Sequence, residues 1–162
     1  IAQPIDFIGI NYYMERAVVF DESRLFLHRE VPTWQRTTNQ DWPIVPYGLL
    51  RVLKYFDQVT DGLPLYITEN GCANDDVPIN GRVHDSFRCD YIIEHLAACK
   101  QAIDEGVNLK GYFVWSFMDN FEWAWGYSRR FGIVYIDYET QQRIPKDSAY
   151  MMRDFIAGYC EF

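Results

Sequence analysis

The run Leu65-Tyr66-Ile67-Thr68-Glu69-Asn70-Gly71 ends a short apolar stretch in a carboxylate, and a glycine then turns the chain away. Further along, Gly111-Tyr112-Phe113-Val114-Trp115-Ser116-Phe117 leads into Asp119-Asn120-Phe121-Glu122-Trp123. Both read as strands whose C-terminal ends hold out carboxylates and indoles. These groups suit a sugar: an indole lies under the apolar face of the ring, and carboxylates or amides bind the hydroxyls at its rim. Glu69 is the candidate nucleophile, and Trp115, Glu122 and Trp123 are the candidate binding floor. Seven residues separate Trp115 from Glu122, enough for the loop to return toward the pocket. Taken singly, each has a plainer reading: Glu69 as a solvated turn residue, Trp115 as core, Glu122 as a surface carboxylate. Two such units behind successive strands carry more weight than either alone. The sequence offers no partner for Glu69 that could serve as an acid.

Asn11-Tyr12-Tyr13 closes another apolar run. A tyrosine hydroxyl there can donate to the Glu69 carboxylate and hold it ionised, as a nucleophile must be. One of the two tyrosines then remains for core packing.

The elements that must position these residues follow from periodicity and punctuation. Residues 4–12 read as a strand buried on both faces, with Ile5, Phe7, Ile8 and Ile10. Residues 14–45 show no period and read as a long ordered loop containing Trp34 and Trp42, a length uncommon without a function. A helix is expected over 47–59, with Leu49, Leu53 and Phe56 on one face and Asp61-Gly62 as its stop. A strand over 63–68 and a polar loop over 72–84 come next. A long helix over 86–105 carries Ile92, Leu96, Cys99 and Ile103 as its stripe and Asp85 as its cap. A strand over 111–117, a loop to Phe131, a hairpin over 133–144 and a helix over 148–156 complete the chain. Strands alternating with helices predict an α/β fold with a parallel sheet. Both motifs fall at strand C-termini, the active face of α/β barrels. No linker or composition shift divides the 162 residues, so 1–162 reads as part of one domain.

Aromatic residues make up 17% of the chain, high for an ordinary soluble domain, which fits either a pocket for ring-shaped ligands or a large aromatic core. The net charge of -8, with Arg129-Arg130 the only adjacent Lys/Arg pair, argues against nucleic-acid and membrane-surface partners. No apolar run approaches the roughly 20 residues of a membrane span. Cys72, Cys89, Cys99 and Cys160 have no metal-type spacing with His28, His84 or His95, so no metal or other cofactor is expected. They read as buried free thiols in a reducing, cytoplasmic setting. Ile1 reads as the middle of a longer protein.

Four strings resemble glycoside hydrolase family 1, the retaining β-glucosidases and β-galactosidases. They are Phe7-Ile8-Gly9-Ile10-Asn11-Tyr12-Tyr13, Tyr66 through Gly71, Trp115 through Trp123, and Gly126-Tyr127-Ser128-Arg129-Arg130-Phe131-Gly132. They stand in the family's order, and the resemblance covers essentially the whole chain. It implies a (β/α)8 TIM barrel of which this chain supplies about the last three βα units. It further implies Glu69 as nucleophile, Tyr13 as the tyrosine that hydrogen-bonds it, and Asn11 as a polar residue of the sugar subsite. Trp115 is then the stacking floor, and Glu122 and Trp123 contact the hydroxyls far from the scissile bond. Phe131 is a pocket-wall aromatic and Trp42 lines the aglycone side. The branch of the family that takes 6-phosphorylated sugars has a small hydroxyl residue where Glu122 stands. A carboxylate there repels a phosphate dianion, so an unphosphorylated glucoside or galactoside is implied.

The sequence departs from the family in extent. The acid/base glutamate of the family lies in a Thr-x-Asn-Glu-Pro segment that is absent here. Retaining hydrolysis needs two carboxyl groups about 5 to 5.5 Å apart, and this chain holds one of them. Three strands also leave a barrel open, with edges that promote association. The expectation is a chain complemented by a second one carrying the earlier strands and inactive by itself, with a homo-oligomer as the other way to cover the edges. The alternative function is an inactive carbohydrate-binding or structural fragment.

Overall fold

The structure, a computed structural model, describes residues 3–159. Cys160 lies outside the described residues. The elements in chain order are β1 (Ile8–Asn11), β2 (Val18–Phe20), β3 (His28–Glu30), α1 (Pro46–Val59), β4 (Leu65–Asn70), α2 (Ser86–Asp104), β5 (Leu109–Val114), a 3-10 turn (Trp123–Trp125), β6 (Val134–Ile136), β7 (Arg143–Pro145) and α3 (Asp147–Ile156). The central sheet has the order β1-β4-β5, and both pairings are parallel. Two antiparallel ribbons are inserted within its βα units, β2-β3 between β1 and α1 and β6-β7 between β5 and α3.

One face of the sheet is packed. Ile10, Leu65 and Ile67 meet Leu49 and Leu53 of α1 and Ala98 and Ala102 of α2 in one apolar cluster. Leu49, Leu53, Leu65 and Ile67 are completely buried, each worth about 1.5–3 kcal/mol relative to exposure. A second cluster joins Tyr91, Ile92 and Leu96 of α2 to Met152 of α3 and to Cys72. The methionine pair of the last helix thus fills core space, as its flexible thioethers allow.

The other face is open. Phe7 is 54% exposed and Phe113 58%, and Gly9, Asn11 and Thr68 are also exposed. This corrects the expectation of a first strand buried on both faces. Ile5 and Phe7 lie outside β1 and face solvent, because within this chain only one side of the sheet is covered.

Residues 14–45 contain the β2-β3 ribbon, which the sequence did not announce. Its strands are three residues long and every residue in them is exposed, so burial imposes no alternation. Helix α1 starts at Pro46, whose missing N–H costs nothing in the first turn. It stops where Asp61 and Gly62 take positive φ and the Gly62 N–H bonds the Asp57 carbonyl at 2.9 Å. Asp85 precedes α2 but makes no side-chain cap to it. Its carboxylate instead accepts from Arg88 and from the Ser148 N–H (2.9 Å) and hydroxyl (2.6 Å) at the start of α3. Ile103, expected in the buried stripe of α2, is 52% exposed. Strand β5 ends at Val114, so Trp115 to Phe117 belong to the loop beyond it.

Candidate active site

Glu69 is the penultimate residue of β4, and strict alternation from the buried Ile67 would aim it at the helices. The ladder is irregular here. The register shifts between Ile10 and Asn11 on one side and between Ile67 and Asn70 on the other. Such bulges re-aim side chains. The half-buried Glu69 carboxylate accepts a 2.5 Å hydrogen bond from the Tyr13 hydroxyl, two residues beyond β1. Of the two candidate tyrosines, Tyr13 is therefore the donor. Tyr12 is buried and gives its hydroxyl to the Val45 carbonyl at 2.6 Å.

Asn70 holds this strand end in place. Fully buried, it donates to the Tyr12 carbonyl (2.7 Å) and the Tyr91 hydroxyl (3.1 Å) and accepts from the Tyr112 hydroxyl (2.5 Å). Tyr91 passes its own proton to the Tyr13 carbonyl at 3.0 Å. One amide thus ties β4 to β1, α2 and β5 at the level of the carboxylate. Gly71 follows because the Trp115 carbonyl approaches so closely that a Cβ would collide with it. The Trp115 N–H bonds the Asn70 carbonyl at 2.9 Å.

The aromatic wall is built around Tyr13. Its ring lies 5.6 Å from Trp42 and 6.1 Å from Phe131, and those two rings are 6.1 Å apart. Phe131 is buried. Glu122, half-buried, is near enough for its charge to act on Tyr13 and to feel that of Glu69. Burial, and then the Glu69 charge, raise the proton affinity of Glu122 above the ordinary carboxylate value. Burial, and then the hydrogen bond to Glu69, push the Tyr13 hydroxyl far above its usual range, so it remains a donor.

The structure therefore gathers Glu69, Tyr13, Trp42, Phe131 and Glu122. Asn11 stands on the open face opposite Glu69 in the ladder and accepts from the Thr68 hydroxyl at 2.7 Å. Trp115 is half-buried one residue past β5. Trp123 sits on the 3-10 turn with its side chain 82% exposed, so it does not join the enclosed group. Cys72 is buried, and burial pushes its thiol up to about 12, out of reach of nucleophilic chemistry at neutral pH. Among the described residues no group of three His, Cys, Asp or Glu side chains could hold a metal ion.

Sequence reasoning missed two parts of the site. No role was expected of Asn70, which is a buried hub. Behind the loops lies a buried charge cluster of Asp76, Asp85, Arg88, Asp119, Arg130 and Lys146. Its members come from five separate stretches of chain, and no local pattern joins them.

Parallel βα units with a carboxylate and aromatics at the strand ends are the architecture of part of an α/β barrel. The chain belongs to glycosyl hydrolase family 1, whose sequence profile matches residues 1–159. It is 51% identical over 155 residues to beta-glucosidase A of Thermotoga maritima, covering 93% of this chain and 34% of that protein. The solved family 1 β-glucosidase of Thermotoga maritima superposes with a TM-score of 0.95 at 48% identity, covering 98% of this chain and 36% of the other. The AHE enzyme of Alicyclobacillus herbarius gives 0.93 at 52% identity, over 97% and 35%. The fold is that of about three βα units of a (β/α)8 barrel, and the chain spans about a third of the length of the relatives it matches.

Proposed function

We propose that residues 1–162 form the C-terminal portion of a single (β/α)8 barrel domain that hydrolyses terminal β-D-glucosides or β-galactosides with retention, and that this portion carries the nucleophile. The observation that supports this most is the Tyr13–Glu69 hydrogen bond at the C-terminal end of the sheet. A Glu69 oxygen attacks the anomeric carbon, and the glycosidic C–O bond breaks with its electron pair going to the aglycone oxygen. That oxygen takes a proton from a carboxyl group outside this chain. The same group then removes a proton from water, whose oxygen displaces Glu69 and restores the carboxylate.

Trp115 stacks under the ring, Glu122 and Trp123 bind its far hydroxyls, and Asn11 binds close to the nucleophile. Trp42 and Phe131 form the wall toward the aglycone. The Glu122 carboxylate can accept from a sugar hydroxyl and repels a phosphate dianion. The open sheet face, with Phe7 and Phe113, is where the earlier strands of the barrel pack, on the same chain or a second one. The free thiols Cys72, Cys89 and Cys99 fit a reducing, cytoplasmic setting, and no helix among the described residues is long and apolar enough to cross a membrane.

Native mass spectrometry followed by an aryl β-glucoside assay tests this reading. The expected result is turnover only when the remaining strands are present, abolished by Glu69→Gln with sugar binding kept. Turnover that survives Glu69→Gln, or an assembled barrel with none, would sink it.

A further inference from the structure

The buried charge cluster connects the two sides of the site. Lys146 has no exposed side-chain surface, and its Nζ lies 2.5 Å from an Asp76 oxygen and 2.9 Å from an Asp119 oxygen. Asp76 sits in the loop that leaves Glu69, and Asp119 in the loop that leads to Glu122. We propose that Lys146 is a positioning residue, whose ammonium clamps these two loops together and so sets how Glu69 and Glu122 face one sugar ring. The proposal rests on the reading of Glu69 and Glu122 given above.

Three observations carry it. The clamp is backed on both sides. Arg88, also fully buried, bonds Asp76 at 2.7 Å, the Arg130 carbonyl at 2.7 Å and the Cys72 carbonyl at 3.3 Å. Asp119 accepts from Arg130 at 2.6 Å and from the Gly132 N–H at 3.0 Å. Next, the two residues flanking Phe131 are both tethered to the cluster, and Phe131 packs on Tyr13, which donates to Glu69. A shift in the cluster thus reaches the carboxylate through one ring and one hydrogen bond. Finally, the charges balance, with Asp76, Asp85 and Asp119 against Arg88, Arg130 and Lys146.

Stability alone does not account for such an arrangement. A buried ion pair is often no more stabilising than apolar side chains of equal volume, whereas its geometry is directional. Burial, outweighing its aspartates, leaves the ammonium of Lys146 easier to deprotonate than a surface lysine. That is a cost that an apolar cluster of equal volume would avoid.

The test uses the assembled barrel and two variants, Lys146→Met and Asp119→Asn. The second keeps the side-chain shape and decides the matter if the first fails to assemble. Calorimetric titration with 1-deoxynojirimycin, a glucose-shaped amine, gives both the fraction of competent sites and their affinity. An aryl β-glucoside gives kcat and KM. The expected result is full stoichiometry with affinity and kcat each reduced by about tenfold or more, since small misplacements of reacting groups have effects of that size. A variant that melts earlier but keeps the parent's affinity and kcat would overturn the proposal and leave Lys146 a structural residue. A parent that binds the amine without turnover would sink the reading of Glu69 as nucleophile, while the affinities of the variants still decide the role of Lys146.

Discussion

Tyr13 and Glu69 meet across 2.5 Å although 56 residues of chain separate them, because the parallel pairing of β1 with β4 brings their strand ends side by side. Tyr13 cannot lose its proton in any ordinary pH range, since burial and the neighbouring carboxylate both oppose the phenolate. The bond therefore has one direction: the hydroxyl donates and the Glu69 carboxylate accepts.

Tyr13→Phe removes that donor and little else. A hydrogen bond to a charged group is worth about 1.5–3 kcal/mol, so kcat/KM of the assembled enzyme is expected to fall roughly ten- to a hundredfold. Steady-state assays check this; an unchanged kcat/KM would mean that Tyr13 serves only as packing.

Gly71→Ala places a methyl group against the Trp115 carbonyl oxygen, part of the backbone that joins the loop beyond β5 to β4. Backbone cannot yield as a flexible side chain can, and overpacking of this kind costs about 1–3 kcal/mol. Urea denaturation should show a lower midpoint at unchanged slope. An unchanged midpoint would show that the two loops can separate freely.

The pH dependence of stability should carry the mark of His95. This histidine is fully buried, stacks 4.1 Å from the ring of Tyr91 and bonds the Tyr91 carbonyl through Nδ1. Burial depresses its pKa from 6.5 to about 4. Between those values the unfolded chain binds the proton and the folded chain does not, so stability falls as pH drops from about 6.5 toward 4 and levels off below that. A shift of this size corresponds to on the order of 3 kcal/mol. His95→Phe should flatten the dependence in that window, as read by chemical denaturation at a series of pH values. An equally steep dependence in the variant would assign it to groups other than His95.

Much of this architecture was legible in the sequence, for identifiable reasons. The parallel sheet, the helices and the place of Glu69 at a strand end follow from apolar periodicity and from Gly and Pro punctuation, which are local signals. Residue type narrowed the donor to Tyr12 or Tyr13 and the family resemblance named Tyr13, whose hydroxyl bonds Glu69 while that of Tyr12 bonds the Val45 carbonyl. The roles of Asn70 and Lys146 were not legible, because the side-chain partners of these two residues lie 21 to 70 residues away in sequence. The β2-β3 ribbon escaped because its exposed strands bury nothing. Ile5 and Phe7 misled for the opposite reason: their apolar character suits a covered face that this chain alone does not have.

That uncovered face sets the behaviour of the chain by itself. Phe7 and Phe113 stand exposed on a sheet whose outer strands, β1 and β5, each have one unpaired edge within it. Apolar surface beside unpaired strand edges associates. The isolated chain is therefore expected to form dimers or larger species in sedimentation velocity at micromolar concentration. Phe7→Ser with Phe113→Ser should shift it toward monomer, and the same pair should weaken assembly with the rest of the barrel, because both events use one face. If the double variant stays associated while barrel assembly is lost, the self-contact lies elsewhere, and the exposed ribbon residues Phe20, Leu25 and Phe26 become the surface to test. If assembly with the barrel is unaffected, the packing of the earlier strands on this face is wrong.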